Sequence, residues 1–278
     1  MKITGNTGVI AHIGYPTHSF KAPMIYNPYF EGAGIDVVVV PMGCQTAHFH
    51  TFLRAVFTLE NIRGALITMP HKVSVVQLLD EVSPAVQIAG ACNAVKRLAD
   101  GRLRGDMFDG EGFVRGVRRK GVDPRGKRVL IVGAGGVGSA IAASFAAAGA
   151  ARIGLFDGRD EAAQAVAGRI RQHHPAIDVV TGSKDPAGFD IVVNATPMGM
   201  EPGDPLPLDV SRLAPDAFVG EVVMRQEMTA FLQAAQARGC RCQVGSDMLF
   251  EQIPAYLEFF DLPSTTPEHL RSVAQLAS

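Results

Sequence analysis

The sequence predicts an α/β protein of two domains, and three observations carry that prediction. At 278 residues the chain is too long for one core of ordinary size and too short for three. Short apolar runs alternate with longer amphipathic ones, the pattern of strands joined by helices. One apolar run, 127–132, leads directly into Gly133-Ala134-Gly135-Gly136-Val137-Gly138, a G-x-G-x-x-G loop in the strand-to-helix setting it requires. The expected divisions are 1–106, a Rossmann-type domain over 107–244, and helices over 245–278 that return to pack on the first domain.

The first region opens with a strand over 9–13 and a helix over 23–32, with proline in the helix's first turn. A buried strand over 35–40, a helix over 47–59 and a strand over 64–68 follow, and Pro70 is expected to open a helix reaching about Leu79. This is a β/α-layered unit suited to a parallel sheet. It ends in a hairpin over 94–104, turned at Asp100-Gly101.

The second region begins with a helix over 110–120 and a turn over 122–126. After the strand at 127–132 and the glycine loop comes an alanine-rich helix over 139–148, stopped at Gly149. Further strands are expected at 152–156, 178–181, 190–195 and 217–222, completing a Rossmann-type sheet from roughly 127 to 244.

The glycine loop has a physical job for each of its glycines. Gly133 permits the tight turn, Gly135 lets backbone approach a pyrophosphate, and Gly138 lets the helix pack closely on the sheet. The pyrophosphate would rest on free N–H groups at the positive end of the helix, around Ala134, Gly136 and Val137. Asp157, closing the next strand, is placed to accept hydrogen bonds from ribose hydroxyls and to repel a 2′-phosphate. That favours NAD as cofactor, whereas Arg159 could pair with such a phosphate and keeps NADP open.

Composition removes other function classes. Lys and Arg total 26 against 27 acidic residues, a net charge of −1, so no footprint for nucleic acid or an anionic membrane is present. No basic segment followed by an apolar stretch opens the chain and no apolar run reaches spanning length, which makes a cytoplasmic protein the simplest reading. The four cysteines lack framework spacing and the histidines do not gather as ligands, so no metal is expected.

Polar residues stand at the ends of several first-domain strands: Thr68 and Lys72 in Thr-Met-Pro-His-Lys, Asn93 in Gly-Ala-Cys-Asn-Ala, and Asp109 in Gly-Asp-Met-Phe-Asp-Gly. In order, with the glycine loop behind them, they resemble the shikimate dehydrogenase family. That family carries V-T-x-P-x-K, A-x-N-T, G-x-N-T-D-G, G-A-G-G, N-A-T-x-x-G-M and G-x-x-M-L-x-x-Q. The corresponding stretches here are 67–72, 91–94, 105–110, 133–136, 194–200 and 245–252.

The resemblance implies a reversible alcohol–ketone conversion on a hydroxylated cyclohexane or cyclohexene carboxylate such as shikimate, quinate or a relative. It makes Lys72 and Asp109 the catalytic pair, with Thr68, Asn93 and Gln252 holding substrate hydroxyls. It sets Val222, Gly245 and Met248 near the nicotinamide, and Asn194, Thr196 and Met198 along the dinucleotide cleft. The chemistry agrees: as hydride leaves carbon the alcohol proton must also leave, so a base has to stand within hydrogen-bond reach. Asp109 favours the charged form of a nearby amine, which assigns it to orientation or proton relay. The small cyclic acid is the only partner expected, in a monomer or homodimer. NADP-dependent shikimate dehydrogenase proper, or a dinucleotide-binding regulator without turnover, are the alternatives.

Departures concern the substrate end. The family's G-x-P-x-x-H-S-x-S-P supplies two hydroxyls to the substrate carboxylate, and the ungapped match puts Phe20 and Ala22 in their places. Met224 stands where a tyrosine is usual. Three lost donors should weaken carboxylate binding substantially, since hydrogen bonds to charged groups contribute about 1.5–3 kcal/mol each. Met-Phe in place of Asn-Thr before Asp109, together with Asp157, is similar to the NAD-using branch that includes aminoshikimate dehydrogenases.

Overall fold

The computed structural model describes residues 2–201 and 203–276. The chain divides into two compact units: residues up to Val86, Ala91–Met107 and from Ile253 onward form one, and Gln87–Gly90 with Phe108–Gln252 form the other. Among the described residues each unit is built on one six-stranded sheet.

The first unit runs β1 (Gly8–Gly14), α1 (Pro23–Ala33), β2 (Val37–Gly43), α2 (Thr46–Val56), β3 (Ile62–Ile67), a 3-10 turn at Ser74–Leu78 and β4 (Glu81–Val82). After α3 (Pro84–Ala89) come β5 (Ala94–Arg97) and β6 (Leu103–Asp106). Strand order is β2-β1-β3-β5-β6-β4. β1 pairs in parallel with β2 and β3, but β5 runs antiparallel to both β3 and β6. The sheet is therefore mixed rather than parallel, because the hairpin inserts whole between β3 and β4. Its turn is tight, with Gly101 at φ 89° and its N–H donating to the Leu98 carbonyl at 3.0 Å.

Two expected elements shift. β2 continues through Pro41 to Gly43, which an edge strand tolerates because its outer N–H groups have no neighbour to serve. The helix expected from Pro70 is a turn followed by the short 3-10 segment. Three valines in four positions, Val73, Val75 and Val76, crowd a helix at χ1.

The second unit runs α4 (Asp109–Arg119), β7 (Arg128–Val132), α5 (Gly136–Ala147), β8 (Arg152–Phe156), α6 (Asp160–His173), β9 (Asp178–Thr181) and β10 (Ile191–Asn194). It continues with β11 (Phe218–Glu221), α7 (Ala230–Ala237), β12 (Arg241–Gln243) and α8 (Gly245–Glu251). The order β12-β11-β10-β7-β8-β9, parallel throughout, is the doubly wound arrangement that reverses direction between β7 and β10. Both faces are covered: β7 sends Val129 and Ile131 into one apolar layer and Leu130 and Val132 into the other. This is why its sequence is apolar without alternation. α5 starts at Gly136, three residues earlier than its alanine content indicates, because the loop's last glycines already form its first turn.

The tail supplies α9 (Ile253–Phe259) and α10 (Pro267–Val273) to the first unit, where the Tyr29 hydroxyl donates to the Pro263 carbonyl at 2.8 Å. The division falls after Gln252 rather than at Gly245, so α8 stays with the second unit. No helix among the described residues is long and apolar enough to cross a membrane.

Candidate active site

In the first unit, β1, β3 and β6 end at one edge of the sheet, and antiparallel β5 begins there. Residues that just overrun these strands are gathered at that edge, where ligands bind in open α/β sheets. The Thr68 N–H donates to the Ile13 carbonyl at 2.9 Å, and Ile67 N–H to the Asn93 carbonyl at 2.8 Å. Asn93 in turn donates its N–H to the Asp106 carbonyl at 3.0 Å, and Cys92 N–H donates to the Lys72 carbonyl at 2.8 Å. Thr68, Lys72 and Asn93, distant in sequence, are thus joined through backbone. Asn93 is buried, whereas Thr68 and Lys72 are half-buried.

The turn that carries Lys72 is anchored by its neighbour. The wholly buried His71 ring stacks on Phe49 with centroids 3.9 Å apart, and its Nε2 lies 2.7 Å from the Cys44 carbonyl. Burial pushes the adjacent Cys92 thiol up to about 12, so it stays protonated and donates to the Ala94 carbonyl. His12, on β1, is buried and stacks on Phe20 at 4.1 Å. Burial, and then the charge of Lys72, lower its pKa to about 4.

Asp109 begins α4 in the second unit and is 4% exposed. Gln252 lies over the same helix, since a side chain at Gly112 would come within 2.6 Å of the Gln252 Cβ. The Gln252 Oε1 is buried with no hydrogen-bond partner, as a side chain awaiting a ligand hydroxyl would be.

The glycine loop sits where the sheet reverses direction. Gly133 holds φ at 107°, a region that L side chains rarely adopt, and its N–H donates to the Phe156 carbonyl at 2.7 Å. A Cβ on Gly138 would strike the Gly133 carbonyl oxygen, whereas one on Gly135 would meet nothing within 4 Å. Ala134 is buried, while Gly136 and Val137 are half-buried in the first turn of α5, which has no side-chain cap. Open space above Gly135 and uncapped N–H groups beside it fit a pyrophosphate. Asp157 lies at this loop, accepting from Ala134 N–H at 2.8 Å and from Arg159 N–H at 2.9 Å. The exposed Arg159 side chain turns back toward it, with Nε 3.7 Å from Oδ1.

Further along the sheet edge, Asn194 organises the loop after β10: its Oδ1 accepts from the Thr196 hydroxyl at 2.6 Å, and its Nδ2 donates to the Met198 carbonyl at 3.0 Å. Val222 and Gly245 come together, because Gly245 opens α8 against the Val223 carbonyl, an approach a side chain would bar. Met248 is buried in the apolar layer that includes Phe113, and Val222 is partly buried against the same layer. Met198 and Met224 are exposed.

Sequence reasoning missed Glu221. It is wholly buried at the end of β11 and accepts from the Thr229 hydroxyl at 2.6 Å and from Asn194 Nδ2 at 3.4 Å. It ties the loop after β10 to the N-cap of α7. Burial raises its pKa. The available signal was an acid closing an apolar strand; His12, within Val-Ile-Ala-His-Ile, carries the same kind of signal. Among the described residues, no cluster of three metal-binding side chains occurs.

The family model described as the shikimate dehydrogenase substrate binding domain matches residues 12–95, and the ThiF family model matches 123–161. A shikimate dehydrogenase (NADP(+)) of Geobacter metallireducens is 35% identical over 91% of this chain and 90% of its own. A quinate/shikimate dehydrogenase of Escherichia coli is 33% identical over 91% of both. The structure of shikimate 5-dehydrogenase from Listeria monocytogenes in complex with shikimate and NAD is 28% identical, with a TM-score of 0.91 over 98% of each chain.

Proposed function

Because this chain belongs to the shikimate dehydrogenase family, we propose that it is an NAD-preferring alcohol dehydrogenase that interconverts alcohol and ketone on shikimate, quinate or a related ring acid. When bound, the nicotinamide takes up or returns the hydride. The Lys72 amine removes the carbinol proton during oxidation and donates it back during reduction. Asp109 orients that amine or relays its proton. Thr68, Asn93 and Gln252 hold the ring hydroxyls, which aligns the reacting carbon.

The observation that supports this reading most is the backbone bond from Cys92 to Lys72, which ties the amine-bearing turn to the strand start carrying Asn93. NAD is favoured over NADP because the Asp157 carboxylate repels a 2′-phosphate, and the nearby guanidinium of Arg159 is already drawn to that carboxylate. The test is absorbance of reduced nicotinamide with shikimate and quinate, using NAD and NADP in parallel. We expect kcat/KM with NAD to exceed that with NADP by about tenfold, roughly 1.4 kcal/mol of discrimination. Dinucleotide binding without turnover of either acid at alkaline pH would instead identify a regulator.

A further inference from the structure

We propose that His12 and Phe20 form a substrate-selecting wall, which accepts an uncharged hydrogen-bonding substituent where the family pattern offers hydroxyls to a carboxylate. The inference rests on the ring-dehydrogenase reading above for its alcohol–ketone step and residue roles, and revises one part of it: the ring substituent best accepted is uncharged rather than a carboxylate.

Both side chains belong to the edge that carries Lys72. His12 precedes Gly14 by two residues on β1 and so shares its face. On that face a Cβ at Gly14 would meet the Thr68 methyl and come within 2.9 Å of the Phe20 ring tip. Phe20 stacks on the imidazole at 4.1 Å. His12 is 7% exposed and its Nδ1 is buried with no hydrogen-bond partner, a condition that in a native protein calls for a ligand or water.

The wall is poorly suited to an anion. A neutral imidazole offers at most one N–H, and the Phe20 ring offers none. Burial and the Lys72 charge both oppose protonation of His12. A carboxylate seated there would lose water without gaining the two or more donors it needs, whereas an uncharged amide or hydroxyl loses far less on leaving water and can either donate to Nδ1 or accept from it, according to the tautomer. Lys21, the nearest cation in sequence, is exposed.

Comparing shikimate with its primary carboxamide removes the charge and keeps the ring. We expect the wild type to oxidise the carboxamide with kcat/KM at least about fivefold above shikimate. His12→Leu should raise KM for the carboxamide about tenfold with kcat changed less than about threefold, and His12→Asn, which keeps a hydrogen-bonding group, should recover most of the loss. A wild-type preference for shikimate overturns the inference, above all one that Lys21→Met abolishes. So does a carboxamide KM that neither His12 variant moves. Failure to oxidise either compound with either dinucleotide removes the dehydrogenase reading itself, which is a different outcome from oxidising shikimate alone.

Discussion

The Asp157 carboxylate and the Ala134 backbone N–H are joined by a 2.8 Å hydrogen bond, so the acid closing β8 also shapes the glycine loop after β7. A carboxylate has about four acceptor positions, which leaves room for ribose hydroxyls beside its two backbone bonds. Asp157→Ala should therefore do two things. It should weaken NAD binding about tenfold or more, the scale of one lost charged hydrogen bond, and it should shift the cofactor ratio toward NADP. NADH fluorescence reads both without tryptophan background, as the chain contains none. An unchanged ratio would transfer cofactor choice to Arg159.

Two glycines three positions apart, Gly135 and Gly138, should fail differently. Gly138→Ala drives a methyl into the Gly133 carbonyl and should destabilise the fold by about 1–3 kcal/mol, seen as a lower melting temperature. Gly135→Ala meets no protein atom within 4 Å, so melting should stay unchanged while dinucleotide affinity falls about tenfold or more. Equal melting losses in both variants would contradict the assignment of Gly135 to the ligand.

Lys72 and the glycine loop belong to different units. Lys72→Ala should lower kcat by about 10²–10⁴-fold, the usual contribution of a positioned acid–base group, and leave the NADH dissociation constant within about twofold. A parallel loss of dinucleotide binding would show that proton transfer and cofactor binding are not separable in this chain.

Two buried groups make stability respond to pH with opposite sign. The pKa of His12 falls from 6.5 in the unfolded chain to about 4 when folded, chiefly through burial. Between those values the unfolded chain binds a proton that the fold refuses, so stability is lost as pH falls, by about 3 kcal/mol in total. Glu221 is raised by burial, so its contribution is largest below the ordinary carboxylate range and declines as pH rises through its folded value. In urea unfolding followed from pH 4 to 7, His12→Leu should flatten the acid-side loss. Glu221→Gln should remove the decline on the other side. Identical profiles for both variants and the wild type would show that neither group governs the response.

The strand–loop–helix of β7, the glycine loop and α5 was legible in the sequence because each of its determinants lies within twenty residues of the others. An unbroken apolar run, three spaced glycines and an alanine-rich helix specify it locally. The hairpin of β5 and β6 was legible for the same reason, through Asp100-Gly101. Its insertion between β3 and β4 was not, since strand order depends on which distant edges bury the most surface. The helix expected after Pro70 failed where valine crowding outweighed the proline signal.

The sequence by itself determined the α/β class, the parallel cofactor-type sheet and the order of the polar motifs, because periodicity and turn chemistry are properties of neighbouring residues. Only the tertiary structure decided that Asp157 braces Ala134, that Glu221 meets Asn194 and Thr229, and that His12 is stacked on Phe20 with a nitrogen left open. Those pairings come from the packing of residues far apart or on different elements, and burial makes each of them costly to leave unmatched.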